Sequence, residues 1–263
     1  MGKKTEKRDG FRVKSYFQQS WHAFISSFKE LDKRFFFVVL LDILLIALIY
    51  LGIIGLWKFI VKKLNYIPPM PIFNPQITPE SELRAFYEEV IGIRAEIILY
   101  LIAFAIVIFL VWALIKSLQW KIVVSKKSNF MFYLKSLGLN AIWQLLWILI
   151  FAANFLLLNP RLTKFIGIIL VIIYLHLSYI KYMQMAKTEK IFSSIRATLN
   201  LGILRAYRFV IPHLLMAIVL FLLLQLYWIY RYLPDKAEIV IFLLIIIVWI
   251  GWTRFYIYKI VET

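Results

Sequence analysis

The stretch FFFVVLLDILLIALIYLGIIGLW, residues 35–57, carries one ionisable side chain, Asp42, in 23 positions. A helix rises about 1.5 Å per residue, so about 20 apolar residues cover the roughly 30 Å hydrocarbon core of a bilayer. The stretch is therefore long enough to cross. Phe35–Leu41 is apolar on every side, which a barrel strand with alternating lipid-facing and lumen-facing residues is not. Five further windows of this kind follow: Glu96–Trp120, Leu137–Leu158, Phe165–Ala186, Phe209–Tyr230 and Glu238–Tyr258. The fold class predicted is all-α, a polytopic integral membrane protein of six transmembrane helices paired as three hairpins, with amphipathic helices on the cytoplasmic side.

Composition agrees. Of the 263 residues 63% are hydrophobic and 17% charged, and mean hydropathy is +0.81. A soluble domain sits nearer half apolar. Cysteine is absent, which excludes thiolate metal sites and disulfide scaffolds. The first apolar run follows 34 polar or amphipathic residues without a small-residue cleavage pattern, so it is expected to stay in place as an anchor.

Lys and Arg are distributed unevenly. With the N-terminus inside, 21 of the 31 fall in the segment before Phe35, in Lys121–Ser136, in Lys181–Arg208 and from Gly251 onward. The outer connections hold 9, and Lys116 lies at the inner end of the second span. This bias predicts a multi-pass protein of a cell membrane with both termini cytoplasmic. The net charge of +17 is then attraction to anionic headgroups. Nucleic acid is not an expected partner, because the charge is spread over four segments beside the membrane.

The expected organisation is a basic N-terminus with an interfacial helix over residues 1–34, one six-helix domain over 35–258 with an outer Pro-rich loop at 58–95, and a tail at 259–263. Phe17, Trp21, Phe24, Phe28 and Leu31 recur at helical steps opposite Gln18, Gln19, His22, Lys29 and Lys33. This stripe suits either a helix in the headgroup layer or one packed on the inner ends of the bundle. Lys187–Arg208 reads as a second amphipathic segment, with Thr188 as N-cap and Ile191, Ile195, Leu199 and Ile203 along one side. A shorter one lies between Ser128 and Ser136. Pro68, Pro69, Pro71, Pro75 and Pro79 predict an extended Ile67–Pro79, and Thr78–Pro79 a helix start.

Ionisable and amide groups inside the spans are where function is sought. Asp42, Asn140, Gln144, His176 and His213 fall in one layer toward the cytoplasmic boundary. Asn140, Gln144, Trp147, Phe151 and Asn154 share one face of the third span, which should turn inward because lipid offers amides no partner. The sharper expectation is a cytoplasm-facing polar pocket in which Asp42 pairs with His213 or His176, rimmed by Lys116, Lys181, Arg205, Arg208 and Arg254 as headgroup ligands. Asp42→Asn is then expected to change function more than stability. The plainer expectation is that these groups cement the helices together.

The three His are isolated and no His-x-x-x-His pair, phosphate-binding glycine loop or nucleophile constellation occurs, so neither a metal nor another cofactor is expected. The leading functional reading is a non-catalytic protein binding anionic lipid and another membrane protein, in an assembly, lipid-organising or transport-accessory role. The alternative is a small permease using the pocket around Asp42, His176 and His213. A membrane-embedded lipid-modifying enzyme comes third.

Overall fold

A computed structural model describes residues 3–29, 31–67, 80–127, 129–230 and 235–262. The expected extended segment at 68–79, with its Thr78–Pro79 helix start, lies outside the described residues. Every described element is helical: α1 (Lys3–Lys29), α2 (Lys33–Leu64), α3 (Glu80–Val124), α4 (Phe130–Leu157), α5 (Pro160–Thr188), α6 (Ile191–Leu199), α7 (Tyr207–Tyr230) and α8 (Asp235–Glu262). A π-helical turn, Asn200–Leu204, follows α6. Six of the helices, α2, α3, α4, α5, α7 and α8, are long and apolar enough to cross a membrane.

Only 6% to 39% of each apolar window is buried. Water would not tolerate so much continuous apolar surface on a monomer, so the solvent for these faces is lipid. The chain is an all-α, multi-pass membrane protein.

Two compact units are present: Met1–Ile43 with Ala113–Thr263, and Leu44–Trp112. In the smaller unit α2 and α3 run antiparallel. The Phe59 and Tyr100 rings lie 3.8 Å apart, Lys63 pairs with Glu96, and a Cβ on Gly52 would meet the Phe104 ring at 2.8 Å. Within the expected outer segment at 58–95, α2 continues to Leu64, and α3 runs unbroken from Glu80 through Phe86, Val90 and Arg94 into the second span, in keeping with the helix start expected just before it. No helix breaker follows Trp57 until Pro68, so the charged flank stays helical.

In the larger unit α4 packs antiparallel on α5, and α7 on α8. Gly251 lets α8 approach α2, because a Cβ there would lie 2.9 Å from Val39 Cγ2. The N-terminal helix packs on α8 and α7. Its buried face is Ser20, Ala23 and Ser27, and its aromatic stripe only flanks that contact. Small side chains let the helix axes close, and Trp252 Nε1 donates to Ser27 Oγ at 3.0 Å. Phe24 and Phe28 then pack on the Trp252 ring, whereas Phe17 and Trp21 stay exposed.

The segment after α5 departs from the single amphipathic helix expected over Lys187–Arg208. Thr188 closes α5, its hydroxyl donating to Gln184 O at 2.9 Å, and Lys190 is the N-cap of α6. The deeply buried positions of α6 are Ser194 and Thr198. Ile191 and Ile195 pack on the Phe132, Leu139 and Met185 cluster, and Leu199 and Ile203 are exposed. Gly202 is required in the π turn, since a Cβ there would sit 2.3 Å from Leu177 Cδ2.

Candidate functional site

Among the described residues, the larger unit brings together two closed polar clusters, an imidazole-lined cavity and a basic end. The first cluster is centred on Asp42, 6% exposed. Arg254 of α8 binds its carboxylate through both Nη atoms, Nη1 to Oδ2 at 2.5 Å and Nη2 to Oδ1 at 2.9 Å. Lys116 of α3 donates to Oδ1 at 2.8 Å. Such bidentate, charge-assisted geometry is the strong form of ion pairing. Two cations on one carboxylate leave the cluster with a formal charge of +1. One turn away, Gln119 Nε2 donates to Val38 O at 3.2 Å, locking α3 to α2.

This corrects the expected pairing. Asp42 engages arginine and lysine, and both its oxygens are occupied. Of the expected headgroup rim, Lys116 and Arg254 turn inward to this carboxylate.

Lys181 also turns inward. It is 0% exposed, and Nζ donates to Asn140 Oδ1 at 2.6 Å while lying 3.9 Å from the Tyr182 ring centre and 5.6 Å from that of Trp143. No carboxylate pairs with it among the described residues. Asn140 is held in turn by its donation to Ser136 O at 2.9 Å. Farther along the α4–α5 seam Trp143 Nε1 donates to Ser178 Oγ, Gln144 to the Tyr174 hydroxyl, and Asn154 to Thr163 O. The α4 face bearing Asn140, Gln144, Trp147, Phe151 and Asn154 is thus the one turned toward α5.

His176 and His213 sit together and apart from Asp42. Their ring centres are 5.0 Å apart, edge to face, with Phe209 5.0 Å from His176. They line a cavity of about 520 Å³ between α5, the π turn and α7, whose other walls include Ile172, Ile173, Gly202, Ile203, Ala206 and Val210. His213 Nδ1–H donates to Phe209 O at 2.7 Å. His176 Nε2 is buried beside Gly202 without closing a hydrogen bond of normal geometry. Among the described residues no group of three His, Asp or Glu could hold a metal ion.

The basic end is built from two similar turns. Helix α3 stops at Ser125 and α5 at Glu189, both non-glycine residues in the left-handed region, with φ of 57° and 56°. After each stop the chain re-enters a helix, at Asn129, whose side chain caps Phe132 N at 2.8 Å, and at Lys190. Lys121, 2% exposed, ties the turns by donating to Glu189 and to Lys127 O, and Lys126 Nζ donates to Lys187 O at 2.7 Å. Arg34 donates to Ser125 Oγ, and Lys187 lies over the Tyr258 ring, bringing the start of α2 and the end of α8 to the same place. Lys126, Lys127, Lys135 and Lys190 are exposed around these turns. Phe130 and Phe192 project beside them, 79% and 82% exposed. Arg205 is exposed just before α7, and Arg208 is half-buried in its first turn.

Sequence reasoning placed the headgroup rim on Lys116, Lys181, Arg205, Arg208 and Arg254 because they stand near span ends, and of these Lys116, Lys181 and Arg254 turn inward. The exposed lysines lie instead on the turns, and the signal for them was the Lys126-Lys127 pair immediately before the Asn129 cap.

The hydrogen bond and charge of Lys121 hold the Glu189 carboxyl below the usual carboxylate range. A depressed acid contributes stability that is complete above its unfolded pKa, about 4.3, and is lost as pH falls through the lower folded value. Glu189→Gln is therefore expected to remove part of the acid-limb loss of stability below about pH 4.3. Thermal unfolding of both proteins in detergent from pH 7 to pH 3 measures it. Parallel curves would contradict the tie.

No family model, curated protein or solved structure matches the chain.

Proposed function

We propose that this chain is a non-catalytic protein of a cell membrane, with both termini cytoplasmic, that gathers anionic lipid at its basic end and presents that end to a membrane partner in an assembly, lipid-organising or transport-accessory role. The observation that carries this reading is the grouping of exposed Lys126, Lys127, Lys135 and Lys190 around two tied turns, flanked by exposed Phe130 and Phe192. Aromatic side chains favour the headgroup level, and each lysine near an anionic surface contributes about 1 kcal/mol at moderate salt. Closure of the Asp42 and Lys181 clusters supports a scaffold over a permease, because the carboxylate that a permease would use is occupied by Arg254 and Lys116.

The test is lipid retention by the full chain purified in mild detergent. Native mass spectrometry should show phosphatidylglycerol retained over phosphatidylcholine. Changing Lys126, Lys127, Lys135 and Lys190 together to glutamine should weaken that retention at least about a hundredfold, from the summed headgroup attraction. Raising salt should weaken the wild type toward the variant. Equal retention of the two lipids, or termini labelled on opposite faces of sealed vesicles, would overturn the proposal.

A further inference from the structure

Between Tyr16 and Phe28 helix α1 presents three faces, separated at about 100° per residue. Ser20, Ala23 and Ser27 form the buried seam against α8. Phe17, Trp21, Ile25 and Phe28 occupy the adjoining arc and are 44% to 51% exposed. Gln18, Gln19 and His22 take the arc beyond, also exposed. A continuous aromatic face left open beside a polar one calls for an apolar medium at its own level. That level can be read from α8.

Exposed lysines do not sit in hydrocarbon, so the turns bearing Lys126, Lys127 and Lys190 mark the membrane boundary. Lys187 lies 4.8 Å from the Tyr258 ring centre, which puts the end of α8 at that boundary. Trp252 precedes Tyr258 by six residues, about 9 Å of helix farther into the spanning segment. The end of α1 is fastened there. Phe28 stacks on Trp252 with ring centres 5.2 Å apart, and Trp252 Nε1 donates to Ser27 Oγ. Ser20 lies nearer the boundary, its carbonyl accepting from the Tyr256 hydroxyl at 3.3 Å. The helix therefore descends obliquely, and Ile25 and Phe28 stand below the lysines, at the level of acyl chains.

Charge is missing from this half of the helix. From Ser15 to Phe28 the sequence holds no Lys, Arg, Asp or Glu, in a chain of net charge +17. Interfacial helices are held by buried apolar area and by attraction to anionic headgroups, and over this stretch the aromatic stripe supplies the first without the second.

We propose that the Tyr16–Phe28 half of α1 is a wedge in the leaflet at the lysine-bearing end, and that it recognises loosely packed acyl chains rather than lipid charge. Phe17, Trp21, Ile25 and Phe28 enter the boundary between headgroups and chains, Gln18, Gln19 and His22 face the headgroups, and the small-residue seam holds the helix to α8. This surface is separate from the four lysines, so it stands or falls independently of anionic-lipid retention.

Cysteine is absent from the chain, so Phe17→Cys, Ile25→Cys and His22→Cys each carry a single nitroxide, and all three positions are exposed, which keeps the label out of the seam. Power-saturation EPR of the full chain in dioleoylphosphatidylcholine nanodiscs should place the Phe17→Cys and Ile25→Cys labels roughly 5–10 Å below the phosphates, reached by oxygen more than by a nickel chelate. The His22→Cys label should sit at the phosphates or above. Replacing about a third of the lipid by dioleoylphosphatidylglycerol should leave these depths unchanged, as should the glutamine variant of the four lysines. Saturated dipalmitoylphosphatidylcholine, held above its melting temperature, should raise nickel access at Phe17→Cys at least about threefold, because tighter chains expel the stripe. Nickel-dominated access at Phe17→Cys and Ile25→Cys would place the stripe in water, and low access to both reagents would place protein over it, such as a second copy of the chain. Either result, or depths that follow phosphatidylglycerol and ignore the acyl chains, would overturn the proposal.

Discussion

Asp42→Asn is expected to destabilise the folded protein by about 3–5 kcal/mol, the range seen when one partner of a buried ion pair is removed. Arg254 is 2% exposed and both its bonds to Asp42 run through the guanidinium fork. The asparagine amide keeps one acceptor, for Arg254 Nη2 and Lys116, but turns a donor toward Arg254 Nη1, so one arm of the pair becomes repulsive. Lys116 is less constrained. Its side chain is 18% exposed and can extend away, whereas Arg254 cannot. Arg254→Met added to Asp42→Leu should therefore recover most of the loss, because an apolar pair of similar bulk avoids burying charge. Denaturant unfolding of the four proteins in one detergent measures this. A loss below about 1 kcal/mol for Asp42→Asn would mean that the cluster is hydrated and weak. The expectation from sequence is the opposite, that this substitution acts on function more than on stability, and the same measurement decides between them.

Asn140→Leu should cost about 3 kcal/mol, because it takes the acceptor from a lysine that is 0% exposed and has only aromatic faces beside it. Lys181→Met alone should cost less than Asn140→Leu, since methionine fills the same groove against Trp143 and Tyr182 and the atom left unpaired is the neutral Asn140 Oδ1 rather than an ammonium. Asn140→Leu combined with Lys181→Met should then be more stable than Asn140→Leu by itself. This asymmetry is what separates a desolvated lysine from ordinary packing, and a double-mutant cycle on thermal unfolding reads it directly. Additive losses from the two substitutions would show that the Asn140–Lys181 bond carries no coupling.

The polar residues of the spans were visible in the sequence as residues, and their partners were not. Asp42, His176 and His213 lie at similar depths by residue count, which made a carboxylate–imidazole pair attractive. Depth does not determine azimuth. Arg254 reaches Asp42 because Gly251 lets α8 close on α2, and His176 meets His213 because a π turn redirects the chain between α6 and α7. Each depends on contacts more than 30 residues apart, and no local period encodes them. On α1 the large aromatics dominated the hydrophobic pattern, whereas Ser20, Ala23 and Ser27 make the contact because close helix approach in a membrane favours small side chains.

Apolarity and helical period are local properties, so the chain's sequence alone determined the six spanning helices, the all-α class and the α4 face that turns inward, where lipid would strand its amides. Which cation answers which carboxylate, which lysines stay outside and where the histidines meet were decided only by the tertiary structure. Lipid offers no apolar driving force between helices, so their rotation and register follow from steric fit and from satisfying each buried polar group against a neighbour distant in the chain.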